Sequence, residues 1–135
     1  MTERPTSIAR HRLERAREIL RDAELLLSSN ALISATNRLY YAAFYAARAC
    51  LATKDLDPAR HSRVISLFQQ QFVRSGLIDP GVARALSRAF ERRQTSDYED
   101  FAAPMRADVE TLDSSVKRFV DACADVVARA QAADD

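Results

Sequence analysis

Residues 32–54, LISATNRLYYAAFYAARACLATK, decide the fold of this chain. Neither glycine nor proline interrupts the stretch, and alanine and leucine, both strong helix formers, dominate it. Leu32, Ala35, Leu39, Ala42, Ala46 and Ala49 recur at alternating spacings of three and four, so they line one face of a helix. Ile33, Tyr40, Phe44, Ala47 and Leu51 line the neighbouring face. An apolar surface that wide needs cover on several sides, which predicts a central helix in a bundle. A narrower stripe keeps the same spacing: Ser34, Arg38, Tyr41, Tyr45 and Arg48. Arginine and tyrosine sharing one face are common in protein interfaces and also engage RNA. Tyrosine hydroxyls reaching the edge of a bundle would give the same pattern, and both readings stand.

Outward from this segment the pattern stays helical. Toward the N-terminus, Ala9, Leu13, Ala16, Leu20, Ala23 and Leu27 predict a helix over 6–29, widened by Ile19 and Leu26. Arg12, Glu14, Arg15, Glu18, Arg21 and Asp22 are expected on its solvated face, and Ser28-Ser29-Asn30 is expected to cap the central helix. Toward the C-terminus, residues 54–58 read as a loop ending at Pro58. A shorter helix over 62–75 follows, with Val64, Ile65, Phe68 and Phe72 inward and Gly76 as its C-cap. Asp79-Pro80 reads as N-cap and first residue of a fourth helix carrying Val82, Leu86, Ala89 and Phe90, which residues 96–103 are expected to interrupt. Pro104 opens a fifth, where Met105, Val109, Leu112, Val116, Phe119, Cys123, Val126 and Ala130 form an unbroken seam. The expected architecture is all-α: an antiparallel up-and-down four-helix bundle with a short extra helix, one domain over 1–135 with its core at about 6–130.

Composition narrows the function classes. The chain has 135 residues, 47% hydrophobic and 29% charged, which is ordinary for one globular domain. The first thirty residues carry many charges, against a secretory signal, and no uncharged apolar run approaches the ~20 residues of a membrane span. Cys50 and Cys123 each fall in an apolar stretch and read as buried thiols, so the expected compartment is cytoplasmic. Net charge is +1 but uneven: residues 1–63 hold 11 basic against 7 acidic residues, residues 99–135 hold 4 against 9. Of 20 basic residues 18 are arginine, a side chain whose planar fork suits phosphate, although a GC-rich coding sequence produces the same excess. The only glycines are Gly76 and Gly81, so there is no glycine-rich phosphate loop. Two scattered cysteines and two scattered histidines form no zinc pattern, and paired Glu-x-x-His motifs do not occur. No metal and no cofactor is expected.

Two residues stand out. Arg93 continues the inward stripe of Leu86 and Phe90, with Asp97 one turn later, and a charge on that stripe must be paired or reach an opening. It reads either as one half of a structural Arg93–Asp97 pair or as a phosphate-facing cation. His61 stands between Arg60 and Arg63, whose charges should depress its pKa, and is either structural or a proton carrier.

These residues also carry a resemblance. Asn37-Arg38-Leu39-Tyr40-Tyr41-Ala42-Ala43-Phe44 resembles the N-R-x-Y-Y-A-x-F signature of a branch of small prokaryotic HEPN proteins (higher eukaryote and prokaryote nucleotide-binding). Arg60-His61-Ser62, then Val64, Ile65, Phe68, Phe72-Val73 and Gly76, resembles that branch's second block, and Arg93-x-x-x-Asp97-Tyr98 its third. The resemblance implies an antiparallel helical bundle, two-fold dimers, and a toxin that acts as a metal-independent ribonuclease beside a minimal nucleotidyltransferase antitoxin. It carries over Arg93, Asp97, Tyr98 and His61 as candidate catalytic residues, and Tyr98 as a candidate for AMP modification by the partner. Arg38, Tyr41, Tyr45, Arg48 and Arg60 are the candidate binding or interface residues. The family's ribonucleases place a histidine four to six residues after the arginine, and here none follows Arg93. Arg4 and His11 match the bare spacing only at the edge of the first helix. A non-catalytic HEPN module that binds a nucleotide or a partner protein is therefore the alternative.

Overall fold

The computed structural model describes residues 4–98 and 104–134, less the side chains of residues 96–98 and 134. Among the described residues there are five α-helices: α1 (Pro5–Ser28), α2 (Leu32–Ala52), α3 (His61–Phe68), α4 (Pro80–Tyr98) and α5 (Arg106–Asp134). No strand occurs among the described residues, and the all-α expectation holds. A π-helical turn over Gln69–Val73 continues α3, inserting an extra residue per turn where Phe72 swings into the core.

Helix α2 is central, as its apolar width requires. Thirteen of its 21 residues are buried, and it packs against α1, α3, α4 and α5. Seven of those thirteen are alanines, which let neighbouring helices approach closely. Around it, Leu13, Ile19, Leu39, Leu51, Phe68, Phe72, Val116, Phe119 and Val120 form one continuous core. Each large side chain removed from water there stabilises the fold by about 2 kcal/mol. Cys50 and Cys123 are fully buried together between α2 and α5, with the Cys50 thiol 3.9 Å from the Cys123 carbonyl.

Several local expectations are corrected. Asn30 does not cap α2, whose start has no side-chain cap. It closes α1 instead, adopting a left-handed φ of 60° while Ala31 N–H donates to Leu26 O at 2.9 Å. Arg106 at the start of α5 donates to Leu27 O and to Asn30 Oδ1, tying the first and last helices at this end. Met105 is 69% exposed and precedes α5, so the buried seam runs from Val109 to Val126. Ile33 is half exposed because α2 begins at the rim of the bundle. Helix α4 is not interrupted at Ser96: it continues through Tyr98, and the rest of the expected break lies outside the described residues. Gly76 takes φ +81° and lets the chain turn so that Ile78 N–H reaches Phe72 O at 2.9 Å. Asp79 caps α4 through a 3.3 Å bond from Val82 N–H, with Pro80 as first residue, as expected. Among the described residues no helix is long and apolar enough to cross a membrane.

Candidate functional site

The residues singled out in α2, α3 and α4 meet around Tyr40. Tyr40 has no exposed surface, and its hydroxyl lies 2.7 Å from His61 Nδ1 at the start of α3. The Phe44 ring, one turn along α2, stacks on the imidazole with centroids 4.1 Å apart. From α4, the Arg93 guanidinium lies 5.2 Å from the ring centroids of both Tyr40 and Tyr41. Phe90, one turn before Arg93, packs against Tyr40 at 5.6 Å. The inward stripe of α4 thus delivers a cation onto two aromatic faces, each such contact contributing about 0.5–1 kcal/mol where solvent still reaches. Arg93 and His61 lie 32 positions apart in sequence and share one tyrosine in space.

The electrostatics follow from this crowding. The pKa of His61 is lowered, first by burial and then by the charges of Arg93 and Arg48. The expected cause was Arg60 and Arg63, but both are exposed to solvent, which screens them. Burial also raises the Tyr40 phenol well above its ordinary value, against the opposing charge of Arg93, so it stays protonated. A neutral imidazole bonded to a neutral phenol leaves Nε2 as the ring nitrogen through which His61 can meet a ligand.

The stripe on α2 flanks this cluster. Arg38 lies 5.0 Å from the Tyr41 ring and donates to Asn37 Oδ1 at 3.0 Å. Arg48 lies 5.4 Å from Tyr45 and 5.8 Å from Phe44. Arg38, Tyr41, Tyr45 and Arg48 are all half-buried, whereas Ser34 at the head of the stripe is exposed. Arg60, with Pro58, Ala59, Ser62, Arg63 and Ser66, lines a shallow depression of about 530 Å3. Asp97 and Tyr98 occupy the last turn of α4, with side chains outside the described residues. His11 is exposed on α1.

Two participants had escaped the sequence reading. Arg12, expected on the solvated face of α1, keeps only 14% of its side chain exposed and bonds Asp57 at 3.1 Å and Arg48 O at 3.4 Å. Asp57, read only as loop, also takes a 3.2 Å bond from Arg48. The signal for Arg12 was its place three residues after Ala9 and four before Ala16, on the rim of the buried stripe. Nothing comparable marks Asp57. Among the described residues no cluster of three or more His, Cys, Asp or Glu is placed to hold a metal ion.

Comparison with known proteins identifies the family. The family described as HEPN domain matches residues 9–126, which hold every described residue of the cluster. A protein of Thermotoga maritima named "UPF0332 protein" is 39% identical over 80% of this chain and 82% of its own. One of Methanocaldococcus jannaschii, "Putative toxin MJ0605", is 33% identical over 81% of each chain. A second from that organism, "Putative toxin MJ0142", is 33% identical over 64% of this chain and 59% of its own.

Proposed function

The chain belongs to the HEPN domain family, and from that premise we propose that it is the toxin component of a toxin–antitoxin module and acts on RNA. Its neutralising partner in this proposal is a minimal nucleotidyltransferase, and its working form is a homodimer that joins two copies of the cluster. The names of the two archaeal relatives support the biological role. The observation that carries the chemistry is the meeting of Arg93 and His61 on Tyr40. In this proposal His61, from α3, takes the place of the histidine that is absent after Arg93.

Metal-independent RNA cleavage needs a base to take the 2′-hydroxyl proton and an acid to protonate the departing 5′-oxygen. The new bond joins the 2′-oxygen to phosphorus, the phosphorus–5′-oxygen bond breaks, and a 2′,3′-cyclic phosphate remains. Held neutral by burial and by two nearby cations, His61 offers a free lone pair at Nε2 in the tautomer whose Nδ1–H donates to the Tyr40 oxygen. Arg93 supplies positive charge for the phosphorane oxygens. In this proposal Asp97 or Tyr98 at the end of α4, or His61 of the second copy, returns the proton.

A second reading rests on the same contacts. A guanidinium lying on two tyrosine rings is satisfied without a phosphate, which suits a non-catalytic module that binds a nucleotide or a partner protein through this face. Expression of the chain alone separates the two. The toxin reading expects slowed growth that Arg93→Ala and His61→Ala each relieve while the proteins remain folded. Undiminished growth arrest by Arg93→Ala would leave the binding module in possession. Co-expression with the nucleotidyltransferase extends the test to Tyr98: intact mass should rise by AMP units and return to the unmodified value in Tyr98→Phe.

A further inference from the structure

The loop that carries His61 into the cluster is held to the π-helical turn by Lys54, which donates to Gln71, and to α1 and α2 by one acidic side chain, Asp57. Between the end of α2 at Ala52 and the start of α3 at His61, Asp57 makes side-chain ion pairs with both α1 and α2, and among the described residues no other residue of the loop makes one. Its Oδ1 takes 3.1 Å and 3.2 Å contacts from the guanidinium groups of Arg12 and Arg48. The remaining groups lock the arrangement. Arg12 also donates to the Arg48 carbonyl at 3.4 Å, and Arg48 lies 5.8 Å from the Phe44 ring that stacks on His61. Three residues separate Asp57 from His61, with the fixed φ of Pro58 among them. Burial pulls the Asp57 carboxyl upward, but the Arg48 hydrogen bond and the charges of both arginines outweigh it and hold the group ionised below its ordinary range.

We propose that Asp57 is a positioning residue: by bridging Arg12 of α1 and Arg48 of α2 it holds the α2–α3 loop where His61 reaches Tyr40 and stacks on Phe44. Its functional meaning rests on the toxin reading, but its physical content does not. Without the carboxylate, two guanidinium groups face each other across the loop base and the loop loses its Asp57 ion pairs to α1 and α2.

The experiment is an NMR titration of the His61 ring protons in the full chain, with His11→Gln used to assign the signals. Loss of the anion by itself would leave Arg48 uncompensated and lower the pKa of His61 further. Release of the loop admits water to the imidazole, removes the largest cause of the depression and raises it. The two effects have opposite signs, so the direction identifies the role. Asp57→Ala and Asp57→Asn should each move the His61 pKa upward and erase its stacking shift on Phe44. Asp57→Glu, which keeps the anion, should restore both. An unchanged or lowered value in Asp57→Asn overturns the proposal, and that variant decides should Asp57→Ala fail to fold. Growth assays keep the two claims apart: a toxic wild type whose Asp57→Asn form is equally toxic, with His61 unmoved, refutes the positioning role and spares the toxin reading. A harmless wild type with His61 displaced in Asp57→Asn does the reverse.

Discussion

Tyr40 is fully buried, yet its hydroxyl meets a histidine from α3 and its ring carries an arginine from α4. Stability should therefore depend on pH through His61. Its folded pKa lies below the ordinary 6.5, so on acidification the unfolded chain takes up the proton first. The contribution is intact above about pH 6.5, is lost as pH falls toward the folded value, and declines no further below it. Asp113 acts in the opposite sense, because burial and Glu24 raise its carboxyl and the folded state takes up that proton first. Thermal melts between pH 7 and 5 should show the wild type losing stability relative to His61→Gln, and parallel curves would contradict the account. Sequence reasoning reached Arg93, His61 and the α2 stripe because an arginine on an inward stripe and a histidine amid arginines are visible anomalies. It missed Asp57 because an aspartate before a proline is ordinary loop chemistry, and only the fold reveals which cations lie opposite. It misassigned the cause of the His61 shift for the same reason: sequence neighbours on a helix point outward, while the cations that act come from α2 and α4.

At the level of elements, α5 and the turn before α4 are expected to respond differently to substitution. Phe119 is fully buried, between α5 and Phe68 at 5.3 Å, so Phe119→Asp places an unpaired charge in the core. A loss of about 4 kcal/mol or more is expected, enough to unfold a domain of ordinary stability. Gly76→Ala has free space around its new methyl group and meets only the strain of a left-handed residue, about 1–2 kcal/mol. Denaturant melts that rank the two equally would refute this assignment. Helix identity was legible wherever apolar spacing ran unbroken, as in α1, α2 and from Val109 to Val126 in α5. Helix ends were less so. The polar run after Arg93 reads as a break, yet the backbone stays helical to Tyr98, since exposed polar residues do not by themselves end a helix.

For the whole molecule the proposal takes a homodimer as the working form, in which His61 of the second copy joins Asp97 and Tyr98 as a candidate to return the proton. Light scattering at micromolar concentration should give twice the monomer mass, and a monomer that recovers no partner by pull-down would contradict it. The half-buried arginines and tyrosines of α2 lie beside the cluster, so a face that joins copies would also bring their sites together. The central claim is that Arg93 and His61, brought together on Tyr40, act on RNA without a metal. Its most direct test is incubation of the purified full chain with RNA in excess chelator, scored for new 2′,3′-cyclic phosphate ends. The account predicts such ends from the wild type and their loss in both Arg93→Ala and His61→Ala, each still folded by circular dichroism. Intact RNA after incubation with the wild type, or undiminished cleavage by Arg93→Ala, would contradict it.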